Sequence, residues 1–508
     1  MYAALSSLGL SGIEPYAIKV EVDSHRGLPG FDIVGLPDAS VKESRDRVKS
    51  AIQNLGYPFP SAKIVANLAP ADTRKIGSVY DLPILLALIH ASGYENLDFS
   101  GAAVIGEIGL SGEIRGVQGV LPMVLDAAAL GFSRIIVPES NVAEALAAKD
   151  VEIIAVNHAS QAIAYFKGEI SPPPYEIPDT PHQKELNIFD LADVKGQYEA
   201  KRAMEIAAAG GHNLLFIGPP GSGKSMLAKR LPSILPEMTP AEAIETTKIY
   251  SVAGLLENGR RLITTRPFRS PHHTVSPAAL TGGGSSPRPG DLSLAHNGVL
   301  FLDEMPEFNK TALEVLRQPL EDGMVNISRV RQHVTYPANV MLVAAMNPCP
   351  CGYFGHPVKE CKCSPQAIQK YLGRISGPML DRIDIHVEVP PVDYEQISST
   401  AKSESSESVR ARVAAAHKIQ TARYAGTNCF RNADIPASLL DDVCKMESSA
   451  SALLKLSFER LALSARAFNR ILKVSRTIAD LDGASLISSA HISEAIQFRS
   501  LDRKYWNA

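Results

Sequence analysis

No apolar run in this chain is long enough to cross a membrane. Leu82-Pro83-Ile84-Leu85-Leu86-Ala87-Leu88-Ile89 reaches only about half the length of a spanning helix, which takes ~20 residues. A basic leader is missing as well, because Met1-Tyr2-Ala3-Ala4-Leu5-Ser6-Ser7 carries no positive n-region. Together these absences point to a cytoplasmic chain with no membrane partner. Positive charge is not in surplus either: 51 Lys and Arg stand against 54 Asp and Glu, a net charge of −3. The molecule as a whole is no polycation, so any nucleic-acid site must concentrate its charge locally, in a groove or pore. No internal repeat is visible. Cysteine is scarce, six in 508 residues, yet four crowd between Cys349 and Cys363. In a reducing compartment that crowding argues for metal before disulfide.

What is present begins with Gly218-Pro219-Pro220-Gly221-Ser222-Gly223-Lys224-Ser225. The G-x-x-x-x-G-K-[ST] spacing lets backbone N–H groups turn toward a polyphosphate with no Cβ in the way. Lys224 can reach the β- and γ-phosphates and Ser225 can ligate Mg2+. Asn213 to Ile217 reads as the buried strand that feeds this loop, and Ser225 to Leu231 as the helix after it, stopped by Pro232.

Around that loop the chain divides into blocks, with a 45% hydrophobic fraction ample for core burial. Residues 1–168 read as a mixed α/β unit. Its strands are expected at Ile18–Val22, Lys63–Ala69, Ile135–Val137 and Val151–Val156, and a helix from Ala39 to Leu55 is capped by Asp38 and ended by Gly56. Leu82–Ile89 and Val120–Leu130 read as helices. Five prolines between Ser171 and Pro181 mark a stiff linker, placed at 169–186. A P-loop core follows at 187–392. Residues 403–508 read as helical, at Ser408–Ala425, Pro436–Lys445, Ser449–Leu463, Ser464–Leu481 and His491–Arg499.

Downstream of the loop, Val299-Leu300-Phe301-Leu302 ends in Asp303 and Glu304. Asp303 can hold the Mg2+ shell and Glu304 can orient the attacking water. Another strand, Val340–Met346, ends at Asn347, which could contact the γ-phosphate or merely start the turn before Pro348. Leu380-Asp381-Arg382-Ile383-Asp384 offers Arg382 as an arginine finger for a neighbouring subunit, or as a surface partner of Asp384. Arg466 and Arg470 lie one helical turn apart and share a face that could reach nucleotide or face solvent.

In this order the pieces resemble the AAA+ ATPases. The resemblance implies that Lys224, Asp303, Glu304, Asn347, Arg382 and Arg466 match the Walker A, Walker B, sensor-1, arginine-finger and sensor-2 positions, with Arg470 competing for the last. Two stretches narrow the branch. Arg266 to Gly284 looks like an insert in the second helix of the ATPase core, and Met324 to Tyr336 like a hairpin before sensor 1. Inserts at these places resemble the Mg-chelatase and replicative-helicase branch. The chain is similar to the Mg-chelatase-like ComM/YifB family, most specifically at Arg269–His273, Asn347–Tyr353 and Lys473–Leu481. That resemblance implies ATP, Mg2+, a homo-hexameric ring and an ATP-driven DNA motor acting in branch migration during natural transformation. Beside it stands a physical case. Arg329 and Arg331 sit two apart on a strand, so both point to one face, where they could grip phosphates without reading bases or simply remain exposed.

Two features leave alternatives open. Cys349, Cys351, Cys361 and Cys363 could close a Zn2+ site, although C-x-C is the rarer spacing; the rivals are free thiols or a redox-sensitive pair. Gly106 to Arg115 is similar to the proteolytic domain of Lon-type proteases, with Ser78 in the nucleophile's loop. Ungapped matching puts Leu121 where the dyad lysine belongs, so this block looks like a non-proteolytic copy of the Lon (S5 domain 2-like) fold. The expectation is thus an α/β protein with a Lon-like N-terminal domain, a P-loop AAA+ core and a C-terminal helical lid. A protein-remodelling motor of Mg-chelatase type is the alternative, and an ATP-dependent protease a third option.

Overall fold

The computed structural model describes residues 1–171, 175, 189–257, 259, 261–284, 287–329, 332–392, 403–427, 429–461 and 463–506. Most of the proline-rich linker therefore lies outside the described residues, as does Arg331; of Arg329 only the backbone is described.

The N-terminal block is built on a seven-stranded sheet in the order Gly30–Val34, Lys63–Ala69, Glu14–His25, Tyr2–Ser11, Ala102–Val104, Arg134–Pro138, Glu152–Val156. Tyr2–Ser11 and Glu14–His25 pair antiparallel, and the latter pairs antiparallel with Lys63–Ala69. Asp38 caps the helix Ala39–Asn54, its carboxylate accepting the Val41 N–H at 2.9 Å. Gly56, at φ +87°, ends the turn beyond it, as expected of a residue without Cβ. The helix expected over Val120–Leu130 stops at Asp126.

The P-loop core is a five-stranded parallel sheet in the order Phe268–Arg269, Val299–Leu302, Met341–Met346, Leu214–Ile217, Ile385–Glu388. Its central strands are unbroken apolar runs buried throughout, the pattern of a parallel sheet covered on both faces. After the edge strand Phe268–Arg269 comes the short helix Pro277–Thr281, then Gly282–Gly283 paired antiparallel with Arg288–Pro289, then the helix Asp291–Leu294, so a hairpin lies between two short helices ahead of Val299–Leu302, as expected of an insert in the second helix of the core. The preceding helix, Pro240–Ala253, ends at Gly254 (φ +70°). Pro277 opens the helix Pro277–Thr281, capped by Ser276, at the position where a missing N–H costs least. Phe268 stacks on Phe301, with ring centroids 6.0 Å apart, and carries the edge strand. The hairpin is present: Met324–Arg329 pairs antiparallel with Gln332–Pro337.

The C-terminal helices Ser406–Arg423, Ser448–Leu461, Ala465–Leu481 and Ser489–Gln497 pack on the core, and their apolar residues share one cluster with it. The helix expected over Pro436–Lys445 is reduced to a 3-10 turn, Ala437–Leu439, and one short turn, Leu440–Val443. Only Leu440 and Cys444 are buried there, too little apolar face to sustain a longer helix. Buried polar pairs tie the parts together. His212 bridges Asp384 (3.1 Å) and Thr477 (2.7 Å), while Ser251 donates to Glu144 of the N-terminal block at 2.6 Å. Among the described residues no helix is long and apolar enough to cross a membrane.

Candidate nucleotide site

Parallel strands deliver their C-terminal tips to one sheet edge, where α/β proteins place ligands. Here Leu214–Ile217 delivers Gly218, Val299–Leu302 delivers Asp303, and Met341–Met346 delivers Asn347. The loop from Gly218 to Ser225 needs its glycines: Gly221 and Gly223 have φ of +79° and +95°, and a Cβ on Gly218 would stand 2.2 Å from the Val389 carbonyl.

Lys224 is buried at 8% exposure and donates to the carbonyls of Gly218 (2.7 Å) and Pro219 (2.9 Å) and to Asn347 Oδ1 (3.1 Å). Burial pushes its pKa down to about 8, against the opposing pull of Asp303 and Glu304. Ser225 Oγ donates to Asp303 Oδ2 at 2.6 Å. These two oxygens suit the hard, oxygen-preferring Mg2+ shell, one neutral and one anionic. Glu304 holds φ +52°, rare for a residue with a Cβ, and its N–H donates to Asp303 Oδ1 at 3.0 Å. Its carboxylate is more than half exposed and lies 3.7 Å from His273 Nδ1.

Sequence reasoning missed three neighbours. Gln197 (φ +56°) is buried and its amide donates to Ser222 O (3.3 Å) and Pro390 O (2.7 Å), bracing the loop from behind. The Asn347 backbone N–H reaches the Tyr371 hydroxyl. Gly352 lies against Pro220. The only sequence signal was a glycine beside each of two, Gly196 before Gln197 and Gly352 itself.

Arg382 is not at this edge. The Asp384 N–H donates to Asn213 O (3.1 Å) and Asn213 Nδ2 donates to Arg382 O (2.7 Å), so Arg382 sits where Leu214–Ile217 begins. Four residues of strand put about 13 Å between that end and the phosphate loop. Its side chain donates to Arg317 O and Pro378 O, both at 2.8 Å, and pairs with Glu321. The expected alternative, a pair with Asp384, does not form; Asp384 is taken by His212 and by Arg470 at 3.4 Å. Burial raises the Asp384 carboxyl, but those two partners outweigh it and leave it below its ordinary range. Arg466, 67% exposed, stands 3.6 Å from Asp381, and Arg470 is 4.0 Å from the same carboxylate. Both lid arginines therefore gather beside Arg382, and neither is brought to the loop of its own chain.

In the N-terminal block Ser78 Oγ donates to Glu107. Leu121 is fully buried. Lys75, also fully buried, donates to the carbonyls of Pro70 and Thr73.

Sequence comparison shows the family. Residues 190–397 match the family model for magnesium chelatase, subunit ChlI. Residues 20–141 match subunit ChlI of Mg-chelatase and 403–499 its C-terminal part. YifB of Escherichia coli K12 is 43% identical over 497 residues, covering 97% of this chain and 96% of the relative. The competence protein ComM of Haemophilus influenzae is 42% identical over 510 residues, covering 99% and 98%. The chain belongs to the Mg-chelatase-like ComM/YifB family. A more distant likeness reaches the magnesium-chelatase 67 kDa subunit of Chlorobaculum parvum, 27% identical over 215 residues, 41% of this chain and 28% of that one. Membership in the ComM/YifB family makes the parallel-sheet core an AAA+ nucleotide-binding unit, for which ATP and Mg2+ are the ligands to expect.

Proposed function

We propose that this chain hydrolyses ATP and works as a homo-hexameric motor on DNA, as a helicase or in branch migration during transformation and recombination. One observation carries the reading: Lys224, Ser225, Asp303 and Asn347 meet at one end of the sheet, while Arg382 stands at the other end of the same strands. Lys224 leaves two carbonyls and Asn347 for the β- and γ-phosphates. Ser225 and Asp303 hold Mg2+, which neutralises phosphate charge when bound. Glu304 orients water, and Asn347 reports the γ-phosphate. Arg382, about 13 Å from its own loop, can complete this chemistry only in a neighbouring copy. A site split between copies favours a closed ring. Arg466 and Arg470, on the same side, belong with the neighbour's nucleotide too.

The division into 1–168, 169–186, 187–392 and 403–508 belongs to this reading. So does a non-proteolytic Lon-like fold for the first block, where Ser78 meets the Glu107 carboxylate rather than a lysine. Arg329 and Arg331 grip DNA phosphates from inside the ring, while the four cysteines hold Zn2+. A match to a competence protein over 99% of the chain favours DNA over the protein-remodelling work of the chelatase subunit, whose match covers 41%.

The test is ATP turnover with and without forked DNA. Turnover is expected to rise with DNA, to vanish in Lys224→Ala, and to lose only its DNA response in Arg329→Ala/Arg331→Ala. Turnover indifferent to every DNA form overturns the DNA motor, and turnover intact in Lys224→Ala overturns the ATPase.

A further inference from the structure

The cysteine loop leaves the sheet at Asn347, two residues before Cys349, and returns as the helix Pro365–Leu372, capped by Ser364. Its sulfurs converge. Cys349 lies 3.4 Å from Cys351 and 3.6 Å from Cys361, Cys351 lies 3.6 Å from Cys361, and all four sulfurs fall within 4.8 Å of one another. A disulfide would join two of them at about 2.05 Å and leave the other pair apart. Tetrahedral Zn2+ with Zn–S bonds of about 2.3 Å sets sulfurs about 3.8 Å apart, close to what is seen. Backbone N–H groups of Tyr353 and Lys362 point at the Cys351 sulfur, the kind of outer hydrogen bond that steadies a thiolate ligand.

The same loop touches the phosphate loop. Gly352, between two of the cysteines' neighbours at φ +82°, has no room for a side chain: a Cβ there would stand 2.3 Å from Pro220 Cδ. Its N–H donates to the Cys349 carbonyl at 3.0 Å, so its position follows that of a ligand residue. Both ends of the loop are fixed at the candidate site, one by Asn347 and the other by Tyr371, whose hydroxyl meets the Asn347 N–H. Between the cysteine pairs, 352–360 is largely exposed; His356 gathers it, accepting the Val358 and Lys359 N–H groups at 3.0 Å and facing the Tyr353 ring at 5.6 Å, Lys359 lies over Tyr353 at 4.9 Å, and Phe354 meets Tyr505 at 6.3 Å.

We infer that the four cysteines form a tetrahedral zinc site that acts as a tether, pressing Gly352 against Pro220 and so setting the affinity of the phosphate loop for nucleotide. This deepens the reading of the loop as an ATP site and rests on it. On binding, the thiols become thiolates, four Zn–S bonds form and the displaced protons pass to solvent. The dianionic centre lies beside the exposed Lys359 and Lys362. Without metal the loop loses its cross-link, and the wall at Pro220 loosens.

The experiment uses the full chain purified under reducing conditions. Zinc is measured by release to a colorimetric chelator, and nucleotide affinity by titration with a fluorescent ATP analogue. Stoichiometric zinc is expected, together with visible d–d bands of a tetrahedral thiolate site after exchange for Co2+. Cys361→Ser/Cys363→Ser is expected to lose the zinc and to bind nucleotide about tenfold more weakly. Gly352→Ala keeps all four ligands, so it is expected to retain zinc and still lose affinity. Wild-type protein that binds nucleotide but takes up neither Zn2+ nor Co2+ overturns the metal site and leaves the ATP reading standing. Zinc bound by the wild-type chain, with nucleotide affinity unchanged in both variants, overturns the tether. Zinc present in a wild-type chain that binds no nucleotide overturns the ATP reading instead.

Discussion

The Lys224 ammonium donates to Asn347 Oδ1 across 3.1 Å, joining the phosphate loop to the tip of the neighbouring strand. An arriving γ-phosphate would take the lysine and leave the amide facing the same phosphate. Asn347 therefore acts after binding, and its loss should appear in turnover rather than affinity. Asn347→Ala is expected to lower kcat by about tenfold to a hundredfold, the worth of one hydrogen bond to a charged group. Affinity for a non-hydrolysable analogue should change little. Equal losses in both would refute this order of events.

Lys224 also makes nucleotide binding sensitive to alkali. Its folded pKa is lowered from 10.5 to about 8, chiefly by burial. Between these values the unfolded chain keeps the proton and the ligand-free fold has lost it. This group therefore makes folding more favourable as pH rises through that window. Nucleotide binding runs the other way, because a triphosphate needs the ammonium and must recruit a proton. Affinity for an ATP analogue is expected to fall by about tenfold per pH unit above pH 8, with Lys224→Ala flat over the same range. Titrations at neutral and alkaline pH decide it.

Asp480 anchors the lid from within. Its side chain is fully buried and accepts from Arg423, from Asn432 at 2.8 Å and from Arg476, itself 1% exposed. Asp480→Ala would leave two guanidinium groups facing one another in the core, a cost of about 3–5 kcal/mol. An apparent melting temperature lowered by about 5–10 °C is expected by calorimetry. A melting curve that matches the parent chain would show that the network adds nothing.

Most of the core was legible because local signals agreed there. The strand before Gly218, the strand ending at Asp303 and the one ending at Asn347 are all continuous apolar runs, and each puts its polar residue at the predicted tip. Asp38 and Ser464 cap their helices as their residue type demands. The two-residue edge strand Phe268–Arg269 is too short to show periodicity. What was not legible was which end of the sheet Arg382, Arg466 and Arg470 occupy. Helical spacing puts Arg466 and Arg470 on one face, but only the parallel pairing of Ile385–Glu388 with Leu214–Ile217 sets that face against Asp381 and Asp384. The Gly352 contact was hidden for a similar reason, since it joins residues more than a hundred positions apart.

That placement of Arg382 gives the most discriminating prediction. If the arginine served its own loop, a chain lacking it and a chain lacking Lys224 would both be dead, alone or mixed. If it serves a neighbour, each variant still carries half of a working site. Arg382→Ala is expected to bind the ATP analogue as the parent does and to lose turnover by about a thousandfold. Its present partners are two carbonyls and Glu321, so removal frees one exposed carboxylate and threatens the fold little. Mixing Arg382→Ala with Lys224→Ala chains should then restore measurable turnover, because some junctions pair an intact loop with an intact arginine. Restoration should scale with the product of the two fractions and peak at equal amounts. Mixtures that stay inactive at every ratio, under conditions where the chains exchange, would place the arginine outside the reaction.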